Sequence, residues 1–177
     1  MTDTATPAGD RADTAAVTPA GVTVRRPGVS DGAACWRLAC ASGIRSVNSR
    51  YAYLLWARDF DDTSAVAWRR NAVVGFTTGF RRPDEPSTLF VWQVVVAEAV
   101  RGRGVGAAML DVLVDRLPDV DHVEASVAPD DPVSQALFTG FATRYGAAVS
   151  RSLLFGSDLL GPGRPPEVLV RIGPLRR

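Results

Sequence analysis

Residues Leu89–Ala107 read LFVWQVVVAEAVRGRGVGA, and their order is chemically suggestive. A run of β-forming apolar residues, Phe90–Val96, ends in a short acidic segment. The chain then passes through Arg101-Gly102-Arg103-Gly104-Val105-Gly106 and enters an apolar helical pattern from Ala107 to Leu117. A strand, a glycine-rich loop and a helix in that order can hold a phosphate: loop N–H groups point outward and the helix start adds partial positive charge. The same loop can also be a tight structural turn with no ligand. Other residues able to do chemistry are dispersed. Taken singly, Trp92 reads as core of an apolar strand, Glu167 as the solvated start of a strand, and Tyr51 and Tyr53 as packing residues of a helix. His122, at a turn-to-strand junction, is assigned no role.

Composition narrows the chemistry. All 20 basic residues are arginine. A Walker-type phosphate loop needs its lysine and a pyridoxal enzyme needs a Schiff-base lysine, so neither is available in its usual form. A net charge of +1 gives no support for nucleic-acid or membrane-surface binding. With 177 residues, 46% hydrophobic and 22% charged, the chain is expected to form one soluble domain with one core. Cys35 and Cys40 lie five apart in a helical pattern and point to different faces, so no disulfide is expected. Two cysteines and one histidine do not make an ordinary structural zinc site, and no metal is expected. The thiols read as buried or half-buried in a reducing cytosol. No apolar stretch is long enough to span a membrane, and residues 1–20 lack an apolar signal core.

The elements that must position these residues follow from pattern. Residues 1–20 read as a disordered tail, 21–174 as one domain and 175–177 as a second tail. Val22–Arg26 alternates as a first strand. Ser30-Asp31 caps a helix to about Ser42, with Ala34, Leu38 and Ala41 on one face. Asn48-Ser49 opens a second helix, Arg50–Phe60, whose apolar set is Tyr51, Leu54, Leu55 and Trp56. Strands Ser64–Trp68 and Ala72–Arg82 form a hairpin through Arg69-Arg70-Asn71. A long strand over 89–97, the glycine loop and a helix over 105–117 come next. A strand His122–Val127 leads to Asp131-Pro132, a cap followed by proline at the first helical position, which starts a helix to about Tyr145. Strands Val149–Phe155 and Glu167–Ile172 close the chain. The order βααβββαβαββ predicts an α/β protein with a mixed, twisted sheet and helices on each side.

Gly102-Arg-Gly104-Val-Gly106-Ala107 fits the dinucleotide pattern G-x-G-x-x-A, and Glu124 lies about the right distance downstream. That loop belongs directly after the first strand of its domain, whereas here Ala97–Arg101 intervene and several strands precede. Arg101-x-x-Gly104-x-Gly106 instead resembles the coenzyme A loop of the GNAT N-acetyltransferases, and the element order is similar along the whole domain. The resemblance implies a GNAT fold of about seven strands and four helices with acetyl-CoA as co-substrate. The backbone of Val94, Val95 and Val96 would hold the pantetheine. Arg101, Gly102, Arg103, Gly104, Val105, Gly106 and Ala107 would hold the pyrophosphate, with Asp131 and Phe138 also lining the cofactor site.

Further blocks sharpen the resemblance: Val47-Asn48-Ser49-x-Tyr51-x-Tyr53, Leu89-Phe90-Val91-Trp92-Gln93-Val94 and Glu167-Val168-Leu169-x-Arg171-Ile172. These resemble the L-2,4-diaminobutyrate acetyltransferases of ectoine biosynthesis over residues 23–173. That family implies a cytoplasmic homodimer acting on a small diamino acid, L-2,4-diaminobutanoate, at its 4-amino group. It places Ser46, Asn48, Tyr51, Tyr53, Trp92 and Glu167 at the substrate, with Glu167 touching the amine as the catalytic candidate. The attacking amine, with a pKa near ~10, must first lose a proton, and a carboxylate or a water chain can accept it. A backbone N–H near Val94–Val95 is the candidate oxyanion donor. The expected reaction is direct attack in a ternary complex, because neither thiol has the context of a covalent nucleophile. Three positions depart from the family pattern: Ser46 stands where an aspartate is usual, Asp131 where an asparagine is, and Arg164 where a histidine is. A related diamino acid or diamine, and a non-enzymatic acyl-CoA-binding module, are the alternatives.

Overall fold

The computed structural model describes residues 16–18, 21–44 and 47–176. Its elements are β1 (Ala16–Val17), β2 (Thr23–Arg25), α1 (Gly32–Ala41), α2 (Arg50–Asp59), β3 (Ala65–Arg69), β4 (Ala72–Arg81) and β5 (Thr88–Val96). They continue as α3 (Val105–Arg116), β6 (His122–Val127), α4 (Pro132–Arg144), β7 (Ala148–Phe155), α5 (Ser157–Leu160) and β8 (Glu167–Gly173). The sheet order is β1-β2-β3-β4-β5-β6-β8-β7. Neighbours are antiparallel except β5 and β6, which run parallel and are joined through α3.

Local chemistry explains the turns and caps. Arg70 (φ 47°) and Asn71 (φ 62°) both take the left-handed conformation that matches a two-residue hairpin to strand twist. Ser49 Oγ accepts the Ala52 N–H at 3.3 Å and starts α2. Asp131 accepts from Ser134 N at 3.0 Å and from Ser134 Oγ at 2.6 Å, with Pro132 opening α4. Asp31 does not cap α1 with its side chain. Its buried carboxylate instead takes Arg25 at 2.8 and 3.1 Å and the Gly28 N–H at 2.8 Å, clamping β2 to the helix entry.

The sheet buries both faces. On one, Val24, Ala65, Ala67, Leu89 and Val91 pack with α3 and α4. On the other, Val66, Phe76 and Val95 pack with Cys35, Ala39 and Tyr53 of α1 and α2. Several expectations are corrected here. The sheet has eight strands and five helices among the described residues, because Ala16–Val17 pairs with Thr23–Val24 and a four-residue α5 precedes β8. So part of the expected N-terminal tail is sheet; residues 1–15 and 19–20 lie outside the described residues. The expected C-terminal tail is anchored, Leu175 N donating to Asp121 O at 2.8 Å and Arg176 N to Tyr145 O at 3.0 Å. In α1 the buried face is Gly32, Cys35 and Ala39 rather than Ala34, Leu38 and Ala41, and in α2 it is Tyr53 and Ala57.

The thiols also separate. Cys35 is buried, and burial, reinforced by the Asp31 carboxylate, pushes its thiol up to about 12. Cys40 is exposed, contrary to the expectation of two shielded thiols. Neutral-pH alkylation of the native protein is expected to label Cys40 alone, and denaturant to release the second site, read by mass spectrometry. Rapid labelling of both thiols before unfolding would contradict this packing.

Candidate active site

The parallel pair β5–β6 builds the site by coming apart. Pairing runs from Thr88↔His122 to Val91↔Ala125 and then stops, although β5 continues to Val96 and β6 to Val127. The Ala97 N–H reaches Val74 O at 2.8 Å, so strand alternation turns Val95 toward β4 and Val94 and Val96 toward the open edge. The Val96 carbonyl agrees, since it accepts Arg101 Nε at 3.0 Å instead of a strand partner. A cleft of about 1450 Å³ opens along this edge.

The glycine loop closes one end of the cleft. Gly102 (φ 70°) and Gly104 (φ 76°) both lie in the left-handed region, which a residue with a Cβ enters only with strain. The first helical bond of α3 is Ala108 N to Gly104 O at 2.9 Å, which leaves the N–H groups of Val105, Gly106 and Ala107 without intrahelical partners. Gly102, Gly104, Val105, Gly106 and Ala107 all line the cleft. This arrangement fits an anionic pyrophosphate. Arg101 also lines the cleft, and its guanidinium donates to Val96 O and, at 3.5 Å, to Ser42 O. Arg103 is exposed and does not line the cleft. Asp131 and Phe138 also line the cleft.

Trp92 owes its position to a β-bulge that the apolar run concealed. Thr78 pairs with Gln93 and Gly79 with Val91, so Trp92 is the extra residue. The face parity of β5 slips there: Leu89 and Val91 pack toward α3 before it, Val94 and Val96 after it. Trp92 is left 40% exposed, its ring centroid 4.5 Å from that of Trp56. Both indoles line the main cleft and also a small recess formed with Asn48, Tyr53, Thr78 and Gln93. Tyr53 donates to Gln93 Oε1 at 3.1 Å. Asn48 and Tyr53 thus line the same recess as Trp92. Tyr51 does not: it is 68% exposed and lines neither cavity. Ser46 lies outside the described residues. Trp56, read from sequence only as a packing residue, joins the site; its helical spacing from Tyr53 was the available signal.

Glu167 stands at the start of β8 on the cleft wall. Ser126 Oγ donates to its Oε2 at 2.7 Å, leaving Oε1 without a partner among the described residues. Below it, the buried Glu124 accepts from Arg171 at 2.7 Å and from Arg82 at 2.9 Å, and Arg171 also pairs with Glu85. Glu85, then Glu124, hold the Arg171 guanidinium above its usual range, and Arg171 in turn holds the Glu85 carboxyl below its own. Arg82 and Arg164 also line the cleft. Neither cysteine does.

Residues 33–141 match the model of the acetyltransferase (GNAT) family. The chain is similar to the L-2,4-diaminobutyric acid acetyltransferase of Streptomyces coelicolor, 48% identical over 161 residues that cover 88% of this chain and 95% of that protein. It is similar to the protein of the same name from Halomonas elongata, 37% identical over 156 residues, 86% of this chain and 81% of that one. Among solved structures it resembles diaminobutyrate acetyltransferase EctA from Paenibacillus lautus, in complex with L-2,4-diaminobutyric acid and coenzyme A. The TM-score is 0.83 at 36% identity, covering 86% of this chain and 95% of that one. Ard1 from Thermoplasma volcanium, with a TM-score of 0.70 at 19% identity, shares the fold.

Proposed function

The chain belongs to the GNAT acetyltransferases and, within them, to the L-2,4-diaminobutyric acid acetyltransferases, and on that premise we propose that it acetylates L-2,4-diaminobutanoate at the 4-amino group from acetyl-CoA. The observation that carries the reading is the unpaired edge of β5, which runs from the Trp92 bulge into the left-handed turn before α3. Acetyl-CoA supplies an acetyl group activated as a thioester. The N–H groups of Val105, Gly106 and Ala107 bind its pyrophosphate, and the open N–H groups of Val94 and Val96 hold the pantetheine and the carbonyl oxygen where charge develops. Trp92 forms the wall between this edge and the amino acid. Glu167, oriented by Ser126, draws in the reacting ammonium and takes its proton.

Among the described residues no helix is long and apolar enough to cross a membrane. Cytoplasmic action, as a homodimer in ectoine formation, is part of the same proposal. The edge strand β7 supports dimerisation, since Leu153 there and Leu159 just beyond are 68% and 73% exposed.

The discriminating experiment compares turnover on 2,4-diaminobutyrate, 2,3-diaminopropionate, ornithine, lysine and putrescine. Diaminobutyrate is expected to have the highest kcat/KM; preference for any other contradicts the reading, and coenzyme A binding without turnover favours a binding module. Serine at position 46 offers no charge to an ammonium, so Ser46→Asp is expected to lower the diaminobutyrate KM about five- to thirtyfold. An unchanged KM would remove Ser46 from the ammonium site.

A further inference from the structure

The recess behind Trp92 is bordered by a residue with a polar atom that the fold leaves unsatisfied. Thr78 is 7% exposed, lies beside the bulge opposite Gln93, and its Oγ1 has no hydrogen-bond partner. Burying a hydroxyl without a partner is costly, so native proteins retain one where something else completes it. Two of the neighbouring polar atoms are already committed. Trp56 Nε1 donates to Gly79 O at 3.3 Å, and Gln93 Oε1 receives Tyr53. None of the described residues lining the recess is charged, and the indoles of Trp56 and Trp92 form two of its walls. The free volume, about 10 Å³, suits one water-sized group. Aromatic faces, an unused hydroxyl lone pair and no competing cation describe a seat for an alkylammonium.

The geometry points to Thr78 as a substrate-binding residue whose hydroxyl accepts a hydrogen bond from the ammonium that is not acetylated. The inference rests on the diaminobutyrate reading above and assigns the 2-ammonium to the recess. The 4-amine then projects past Trp92, which lines both cavities, toward the open edge of β5. One ring thus separates the held amine from the reacting one.

The test is steady-state kinetics of Thr78→Val and Thr78→Ser in the full chain. Thr78→Val keeps the shape and removes the hydroxyl; it is expected to raise the diaminobutyrate KM about tenfold, with kcat and the acetyl-CoA KM changed less than about threefold. Thr78→Ser restores the hydroxyl and the wild-type KM. The thermal midpoint of Thr78→Val should equal or exceed that of wild type, because an orphaned polar group has been removed. Should Thr78→Val not fold, Thr78→Ala carries the same comparison. An unchanged diaminobutyrate KM in an active, folded variant overturns the role of Thr78 alone. Absence of diaminobutyrate turnover by the wild-type protein overturns both this inference and the reading beneath it.

Discussion

A Gly104→Val variant is expected to lose about 100-fold in kcat/KM for acetyl-CoA while remaining folded. Gly104 has φ 76°, and a Cβ built there meets nothing within 4 Å, so the substitution creates no clash inside the protein. Its cost has two other sources. A β-branched residue in the left-handed region is strained by ~1–2 kcal/mol or more, and relief of that strain swings the turn that aims the α3 N–H groups. The new side chain also occupies the open space where the pyrophosphate is proposed to sit. Calorimetric titration with coenzyme A measures the binding component directly. Gly104→Ala, with less bulk in the same conformation, should fall between. Unaltered coenzyme A affinity in Gly104→Val would mean that the loop does not hold the phosphates.

Glu167→Gln is expected to lower kcat about 10²- to 10³-fold with the acetyl-CoA KM nearly unchanged. The amide keeps the size of the carboxylate and still accepts from Ser126 Oγ, so the wall should survive. Lost are the charge that draws in an ammonium and the base that takes its proton. Because a free alkylamine has a pKa near ~10, the variant should regain rate as pH rises and free amine becomes abundant. A kcat within threefold of wild type would show that another group, or water, removes the proton.

The parts of this site readable in advance were those with strong local chemistry. Left-handed glycines before an apolar helix, the Asp131-Pro132 cap and the Arg70-Asn71 hairpin turn each announce themselves through a few consecutive residues. The bulge did not. Phe90–Val96 is apolar almost throughout, so no polar alternation records that parity slips at Trp92. The parting of β5 from β6 was equally hidden, because both strands continue in β-forming residues beyond Val91 and Ala125. Tyr51 shows the converse: a residue inside a family-like block is exposed and lines neither cavity. Thr78 had no signal, since an unsatisfied hydroxyl is a property of the packed state. Glu124, which meets the spacing of the dinucleotide pattern set aside above, is the buried anion between Arg82 and Arg171.

One measurement tests the central claim most directly: incubate the purified protein with acetyl-CoA and L-2,4-diaminobutanoate, follow coenzyme A thiol release, and identify the product by NMR. The account predicts saturable, stoichiometric thiol release and a single product acetylated at the 4-amino group. No amine-dependent release, or a product acetylated mainly at the 2-amino group, would contradict it.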